Sequence, residues 1–528
     1  MESRSTILFL ILLLTFLPCS TFSIVPSSFA EDRALEQLLE VFQKKGILSA
    51  DEVKMIRQTM DQDIEKMTQR EKEIEAKERA LIQRERALKI KEDGLSETGS
   101  TAPSPPADDA VGQAESASDG RESDGSVLTG RYRDGLCWST QDPDIFSLCI
   151  GGLLQTDYRY FRYSGIDPNK DGFDIRRARL LLAGHFLKHF DYKLEYEFQS
   201  AESRNLLDAY LDTNFSSYFT VRAGQFKEPF GLEQYTPDKN LFFVNRSMGF
   251  YLTPGRDIGL MARTSFFRDA VDFYLGIFNG DGQDGSTGGD EDAPQVTGRL
   301  VLSPFKNRGP SSLHDLILGG SFNYGKIDSS NVDIHVKTTG LTPFFDVASN
   351  AKFNIIQDAD TLMRYGVELG WAFGPLALMS EYVHADYKDV VTSTEQFDIE
   401  LEDYYVALLW MLTGEKPAFR KGIFQPINPL KSIWSGGWGG LGLAFRYDHW
   451  EAGDDVYNTL IQPGISVRKA DAYTIALNWW LNSFLRLIAD FTRTEFDRPL
   501  LIDRDPRTGE AFYSDVEDVF TARLQFAF

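Results

Sequence analysis

From about residue 131 to the C-terminus, apolar and polar residues alternate with a period of two, in runs of roughly ten residues or more. The run FDYKLEYEF sets Phe190, Tyr192, Leu194, Tyr196 and Phe198 against Asp191, Lys193, Glu195 and Glu197. The chain ends the same way. Phe520, Ala522, Leu524, Phe526 and Phe528 share one parity, and Thr521, Arg523, Gln525 and Ala527 the other. Helices repeat every 3.6 residues, so this period predicts strands. One greasy and one polar face, carried through to a terminal aromatic, predict a sheet with lipid on one side and water on the other.

Sixteen strands are predicted, near 148–163, 173–187, 190–200, 205–214, 218–228, 256–267, 270–279, 295–303, 314–327, 360–373, 375–388, 399–412, 438–451, 469–481, 483–496 and 514–528. Connections after the second, fourth, sixth, tenth and fourteenth are tight. Those after most odd-numbered strands are longer, with a short link after the third and medium links after the eighth and twelfth. An even strand count with alternating turns and loops is the pattern of an outer-membrane barrel, whose closure also removes the sheet edges. The expected fold is therefore an all-β transmembrane barrel of sixteen antiparallel strands. Phe520 to Phe528 are expected on its lipid face, with the last aromatics in the interfacial girdle. No propeller-like repeat is visible.

The first 130 residues read differently. Residues 1–30 carry Arg4, a short apolar core from Ile7 to Leu17, and small residues at Ser28 and Ala30, the pattern of a cleaved signal peptide. Residues 31–95 are expected to be helical, with a capping box at Ser49 and Glu52. Met67, Ile74, Leu81 and Leu88 recur every seven residues as a weak coiled coil, and a single solvated helix is the plainer alternative. Residues 96–130, rich in Pro, Ser, Gly and Asp, read as a disordered linker. Export would place the chain in an outer membrane of Gram-negative type, with the helical segment periplasmic. Formal net charge is −23. Up to residue 130 there are 16 basic and 24 acidic residues, and beyond it 39 and 54. That balance excludes general nucleic-acid binding. It does not fix the preference of a pore, where only lumen charges count.

The chemistry-bearing residues follow from the alternation. On the second strand, Ala178, Leu180, Leu182 and Phe186 form the apolar face, so Arg177 and Arg179 face the lumen. An arginine toward lipid at mid-bilayer depth costs about 2–4 kcal/mol. Arg176 falls on the lipid-side parity, near the strand's outer end. Arg222 points inward from the fifth strand, and Lys227 stands where that strand enters a long loop, 228–256, which brings Lys239 and Arg246 with Asn245 and Ser247. A guanidinium meets an oxyanion with a planar fork, an ammonium as a point charge. The same cations could instead serve only to pair with Asp157, Asp174, Glu228, Glu233, Asp238 and Asp257. The six histidines have no metal-ligand spacing, and neither a nucleophile elbow nor an HExxH motif occurs, so neither an enzyme nor a cofactor is expected. The alternatives are a non-specific general porin, or a barrel serving only to anchor the N-terminal helix to the envelope.

Beyond the leader, the only cysteines are Cys137 and Cys149, each six residues from Pro143 in GLCWSTQDPDIFSLCIGG. A turn centred on that proline sets them opposite each other, within disulfide reach.

The blocks FDIRRARLLLAG, VRAGQFKEPFGLE and TPGRDIGL, in that order, resemble the phosphate-selective porins O and P. The resemblance covers roughly 131–528, terminal phenylalanine included. It implies a trimeric sixteen-stranded outer-membrane channel whose lumen arginines and lysines bind small anions, inorganic phosphate in the best-known members. Arg176 and Arg177 match the family's arginine pair. Outer-membrane lipid, small inorganic anions and two further copies of the chain are the partners it implies.

Overall fold

The computed structural model describes residues 129–528 apart from 133–134, 141, 143, 164–170, 200–204, 281–293, 307–308, 328–331, 333, 348–355, 460–463, 465 and 505–509. The expected signal peptide, helical segment and linker lie outside the described residues. Two short strands, β1 (Thr129–Tyr132) and β2 (Leu136–Ser139), lead into the barrel. Its first half is β3 (Phe146–Tyr163), β4 (Gly172–Phe186), β5 (Phe190–Glu197), β6 (Leu206–Asn214), β7 (Phe219–Lys227), β8 (Arg256–Phe266), β9 (Val271–Phe278) and β10 (Gln295–Leu302). After β11 (Ile317–Lys326), a small hairpin, β12 (Ile334–Lys337) and β13 (Pro343–Val347), interrupts the wall. The wall resumes with β14 (Thr361–Phe373), β15 (Leu376–Val391) and β16 (Gln396–Met411). A second hairpin, β17 (Phe419–Arg420) and β18 (Ile423–Phe424), precedes β19 (Gly440–Ala452), β20 (Lys469–Trp480), β21 (Leu485–Arg504) and β22 (Ala511–Ala527).

Each wall strand pairs antiparallel with the next, and β22 pairs with β3 from Glu517 opposite Tyr163 to Ala527 opposite Leu153, which closes a sixteen-stranded barrel. The backbone of Phe528 exchanges hydrogen bonds with Gly152 (2.9 and 3.0 Å). Just beyond, β2 takes over the vacated edge of β3, from Leu136 opposite Ile150 to Ser139 opposite Ser147. Cys137 faces Cys149 in this register, and their sulfurs are bonded at 2.08 Å.

The alternation sorts the faces. Phe520, Leu524 and Phe526 are exposed on the outer surface, whereas Thr521, Arg523 and Gln525 are buried inside. Phe528 departs from the expected parity: beyond the strand's end its ring is half-buried and lines cavities beside Lys239. The wall is uneven in height. β5 to β7, β9 and β10 have 8 or 9 residues, whereas β3 has 18, β15 and β16 have 16 and β21 has 20. The extra length of β21 beyond the expected end at 496 continues a two-stranded arm with β22 past the rim.

The tight turns at 187–189, 215–218, 267–270, 374–375 and 481–484 share one end of the barrel with both ends of the described chain. At that turn end, two connections are longer. The medium link expected after the twelfth strand is an insertion, 412–439, that rises into the lumen. Its β17–β18 hairpin turns through Lys421 and Gly422, both with positive φ (50° and 64°), the geometry of a two-residue type I′ turn. Phe419 and Phe424 bury in an apolar cluster with Leu232, Phe242, Val301 and Ile317. From the loop end, β12–β13 descends to pack Phe344 and Phe345 against Trp450.

Candidate functional site: a charged lumen divided by an inward loop

Residues 228–255, between β7 and β8, fold into the barrel. Gly231 (φ 65°) redirects the chain into a one-turn helix, α1 (Leu232–Tyr235). A side chain there would be strained and would run into Glu381. A loop crossing a barrel leaves its backbone groups without sheet partners, and buried groups of that kind need new ones. Side chains of the tall wall supply them. Glu381 accepts the N–H groups of Leu232 (2.5 Å) and Glu233 (2.8 Å), Asp490 that of Val244 (3.0 Å) and Asp448 that of Met248 (2.9 Å). Arg446 donates to the carbonyls of Asn245 (3.1 Å) and Arg246 (3.3 Å), and Asn478 to that of Phe242 (3.0 Å). Arg486 and Gln525 both reach the carbonyl of Lys239 (3.3 and 3.1 Å). Arg523 forks onto Asp157 (2.6 and 2.7 Å) and donates to the carbonyl of Val244. The loop is thus stitched along its length to β14–β22.

Its other side faces β3–β8, and the hub there is Asp238. Arg177 approaches its carboxylate at 3.2 Å and Arg179 at 2.6 Å, and Arg246 of the same loop also donates to it. Burial alone would raise the Asp238 carboxyl. Arg177, Arg246 and Arg179, with Lys227, instead hold it well below the usual carboxylate range. Arg179 is further held by Glu197 (2.7 Å) and Glu195 (3.4 Å), and Arg177 donates to Gln155 (2.8 Å). Arg222 grips Asp212 with two hydrogen bonds (2.7 and 2.8 Å) and lies 3.7 Å over the Tyr210 ring. Lys227 donates to the carbonyl of Gln234 (2.8 Å). Glu228, where the loop begins, accepts from Thr297 and from Asn323 (3.2 Å); burial pushes its carboxyl up to about 7.

Between the loop and this wall lies a cavity of ≈ 330 Å³. Six cations line it, Arg179, Lys193, Arg222, Lys227, Lys239 and Arg256, against three carboxylates, Glu195, Asp208 and Asp238. Lys193 and Arg256 both bind Asp208 (2.6 and 2.7 Å). Among the described residues, neither Lys227 nor Lys239 has a carboxylate oxygen within 4.0 Å of its ammonium.

The cations expected from the sequence therefore fall into one neighbourhood. Arg179, Arg222, Lys227 and Lys239 line the cavity directly, and Arg177 and Arg246 join it through Asp238. Arg176 requires a correction. The register of β3 against β4 slips between Gln155 and Thr156, so that Gln155 opposes Arg177 and Thr156 opposes Ile175. Arg176 is the extra residue of this β-bulge. The bulge abolishes the lipid-side parity and brings Arg176 into the field of Arg523, Arg159 and Asp238. Lys193 and Arg256 were missed, although the alternation already puts Lys193 on a polar face. Arg446, Arg486 and Arg523 were missed as well. Each stands at an inward parity, but parity does not tell a loop-holding arginine from one beside a passage. Of the acidic residues, Glu233 takes Arg446 (3.4 Å) and both donors of Ser247 (2.9 and 2.7 Å), and Asp174 stands 3.8 Å from Arg159. Asp257 accepts from the backbone of Ile258 and Gly280 (both 2.6 Å).

A closed barrel with a greasy belt, an inward loop and a charged passage is a channel architecture. The family model for phosphate-selective porin O and P matches residues 148–528. The chain belongs to that porin family. Porin O of Pseudomonas aeruginosa is 26% identical over 437 residues, which cover 77% of this chain and 93% of the relative. Among solved structures, the anion-selective porin from Comamonas acidovorans (TM-score 0.46, 12% identity) covers 72% of this chain and 100% of its own. The outer-membrane channel DcaP of Acinetobacter baumannii (0.44, 12%) covers 74% and 99%. By family and fold, the protein is an outer-membrane channel.

Proposed function

We propose that this porin passes small anions, phosphate and related oxyanions among them, by diffusion through the cavity between the inward loop and the wall of β3–β8. The observation that carries this reading is the lining itself: six cations against three carboxylates, in a chain of net charge −23. Electrostatic focusing by a cation-rich passage raises the local concentration of anions. The interleaved carboxylates keep each stop shallow enough for release, which conduction requires. Family membership supports the same preference at a coarser level. Arg176, Arg177, Arg179 and Arg222, with Lys227, Lys239 and Arg246, form the anion path, and the working assembly is a homotrimer with its N-terminal segment in the periplasm.

Reversal potentials in a salt gradient across a planar bilayer test this, with phosphate then added against chloride current. Anion preference and phosphate block are the expected results. Clear cation preference would sink the proposal, and absence of current would favour the anchoring role instead.

A further inference from the structure

The same cavity is more than a ring of charge. Leu153, Leu181, Tyr210, Tyr235, Ile423 and Phe528 also line it. Its guanidinium groups are already engaged: Arg222 by Asp212 and the Tyr210 ring, Arg179 by Glu197 and Asp238, Arg256 by Asp208. What remains for a permeant ion is the ammonium of Lys239 and the donors that Lys227 keeps beyond its bond to the Gln234 carbonyl (2.8 Å); among the described residues neither has a carboxylate oxygen within 4.0 Å. An ammonium is a point charge that takes carboxylate or phosphate without demanding a fork. Ile423 is there because the 412–439 insertion climbs into the lumen. The tip of that insertion is pinned by Arg299 donating to the carbonyl of Gly422 (2.7 Å), and its stem by Asn240 donating to that of Phe424 (3.1 Å).

A bare, strongly hydrated oxyanion gains nothing from apolar walls and loses water to them. An anion carrying a hydrocarbon or ring body gains from the walls and the charges alike. A volume of ≈ 330 Å³ lies at the lower end of the range of small-ligand sites. Granted the anion channel proposed above, we infer that this cavity favours compact organic anions: one carboxylate or phosphate group on an apolar body about the size of a benzene ring. The charged group meets Lys227 and Lys239, and the body lies against Ile423, Leu181 and Tyr235.

The test measures block of chloride current through the full-length channel by four probes: inorganic phosphate, phenyl phosphate, acetate and benzoate. Phenyl phosphate is expected to block at roughly one-tenth the concentration of phosphate, and benzoate at roughly one-tenth that of acetate. A gain confined to one pair supports the inference for that charged group and overturns it for the other. I423N and L181N, on separate elements, should each bring the ratios toward one. Ratios near one in the unaltered channel overturn the inference, as do raised ratios that neither variant changes. Failure of the underlying reading is distinguishable, because it shows as cation preference in the salt gradient before any organic anion is added.

Discussion

Arg222 and Arg446 both point into the lumen from the middle of a strand, and both are matched to acidic side chains. Their surroundings differ. Arg222, on the wall of β3–β8, is held by Asp212 on the adjacent strand and leaves a cavity beside it. Arg446, on the tall wall, is 1% exposed and spends its donors on the inward loop, at Glu233 and at the carbonyls of Asn245 and Arg246. The division runs through the whole barrel. β14–β22 use charge to hold a loop, and β3–β8 use charge to line a passage. Charge inside a barrel is thus not a measure of conduction. The passage lies where most of the cations meet carboxylates of their own wall, at Glu197, Asp208 and Asp212, and the loop adds Asp238.

The largest effect should come from the holding wall. E381A removes the acceptor of two loop N–H groups, and R446A removes donors to two loop carbonyls while leaving Glu233 buried without its cationic partner. Breaking a buried charged contact costs about 3–5 kcal/mol. Single-channel conductance should rise severalfold in each, with weaker anion preference and new protease cleavage within 228–255. Unchanged conductance in both would dissolve the distinction between the walls.

On the lining wall the effect should be smaller and confined to selectivity. R177A/R179A is expected to weaken phosphate block several-fold and to move the reversal potential toward zero, with conductance little changed. K227M/K239M should do so more strongly, because among the described residues neither ammonium has a carboxylate oxygen within 4.0 Å. Block that survives both double variants would assign these residues to structural pairing.

The lead-in offers a control outside both walls. The unreduced protein should yield Cys137 and Cys149 as one cross-linked peptide pair in mass spectrometry, with neither thiol alkylated under denaturing conditions. C137S/C149S should leave current and selectivity intact. Altered selectivity would extend the lining function to the lead-in.

The smallest effect concerns pH. Burial raises the Glu228 carboxyl from an ordinary 4.5 to about 7. Between those values the folded state binds the proton that the unfolded state has released. Stability therefore falls as pH rises from about 4.5 to about 7 and levels off above. Thermal melts from pH 4 to 8 should show that decline shallower in E228Q than in the unaltered protein. Parallel curves would mean that Glu228 is not the titrating group.

Much of this was legible in the sequence, and the limits are physical. Period-two alternation exposes strand existence and parity, because lipid and water enforce it residue by residue. The wall strands accordingly fall within a few residues of their expected ends, except at the β21–β22 arm. Arg176 was misplaced because a bulge adds one residue without changing the local composition. The lumen hairpin was not legible at all. Phe419 and Phe424 read as part of an ordinary link, and only the space left by the inward loop gives them somewhere to bury. Holding and lining arginines look identical at the level of parity, since the difference lies in which distant segment arrives opposite.

That distance has a consequence for assembly. Arg523 meets Asp157 across 366 residues, and it meets the carbonyl of Val244 across 279. Apart from Glu381, the groups that fix the inward loop, Arg446, Asn478, Arg486, Asp490, Arg523 and Gln525, arrive with the last four strands to emerge from the secretion machinery. Contacts so remote in sequence form slowly, after a large loss of chain entropy. The filter is therefore the last part of the molecule to acquire its shape. A barrel stalled before β22 docks would hold its loop only in part, and the cell would face an unfiltered hole rather than a slow channel.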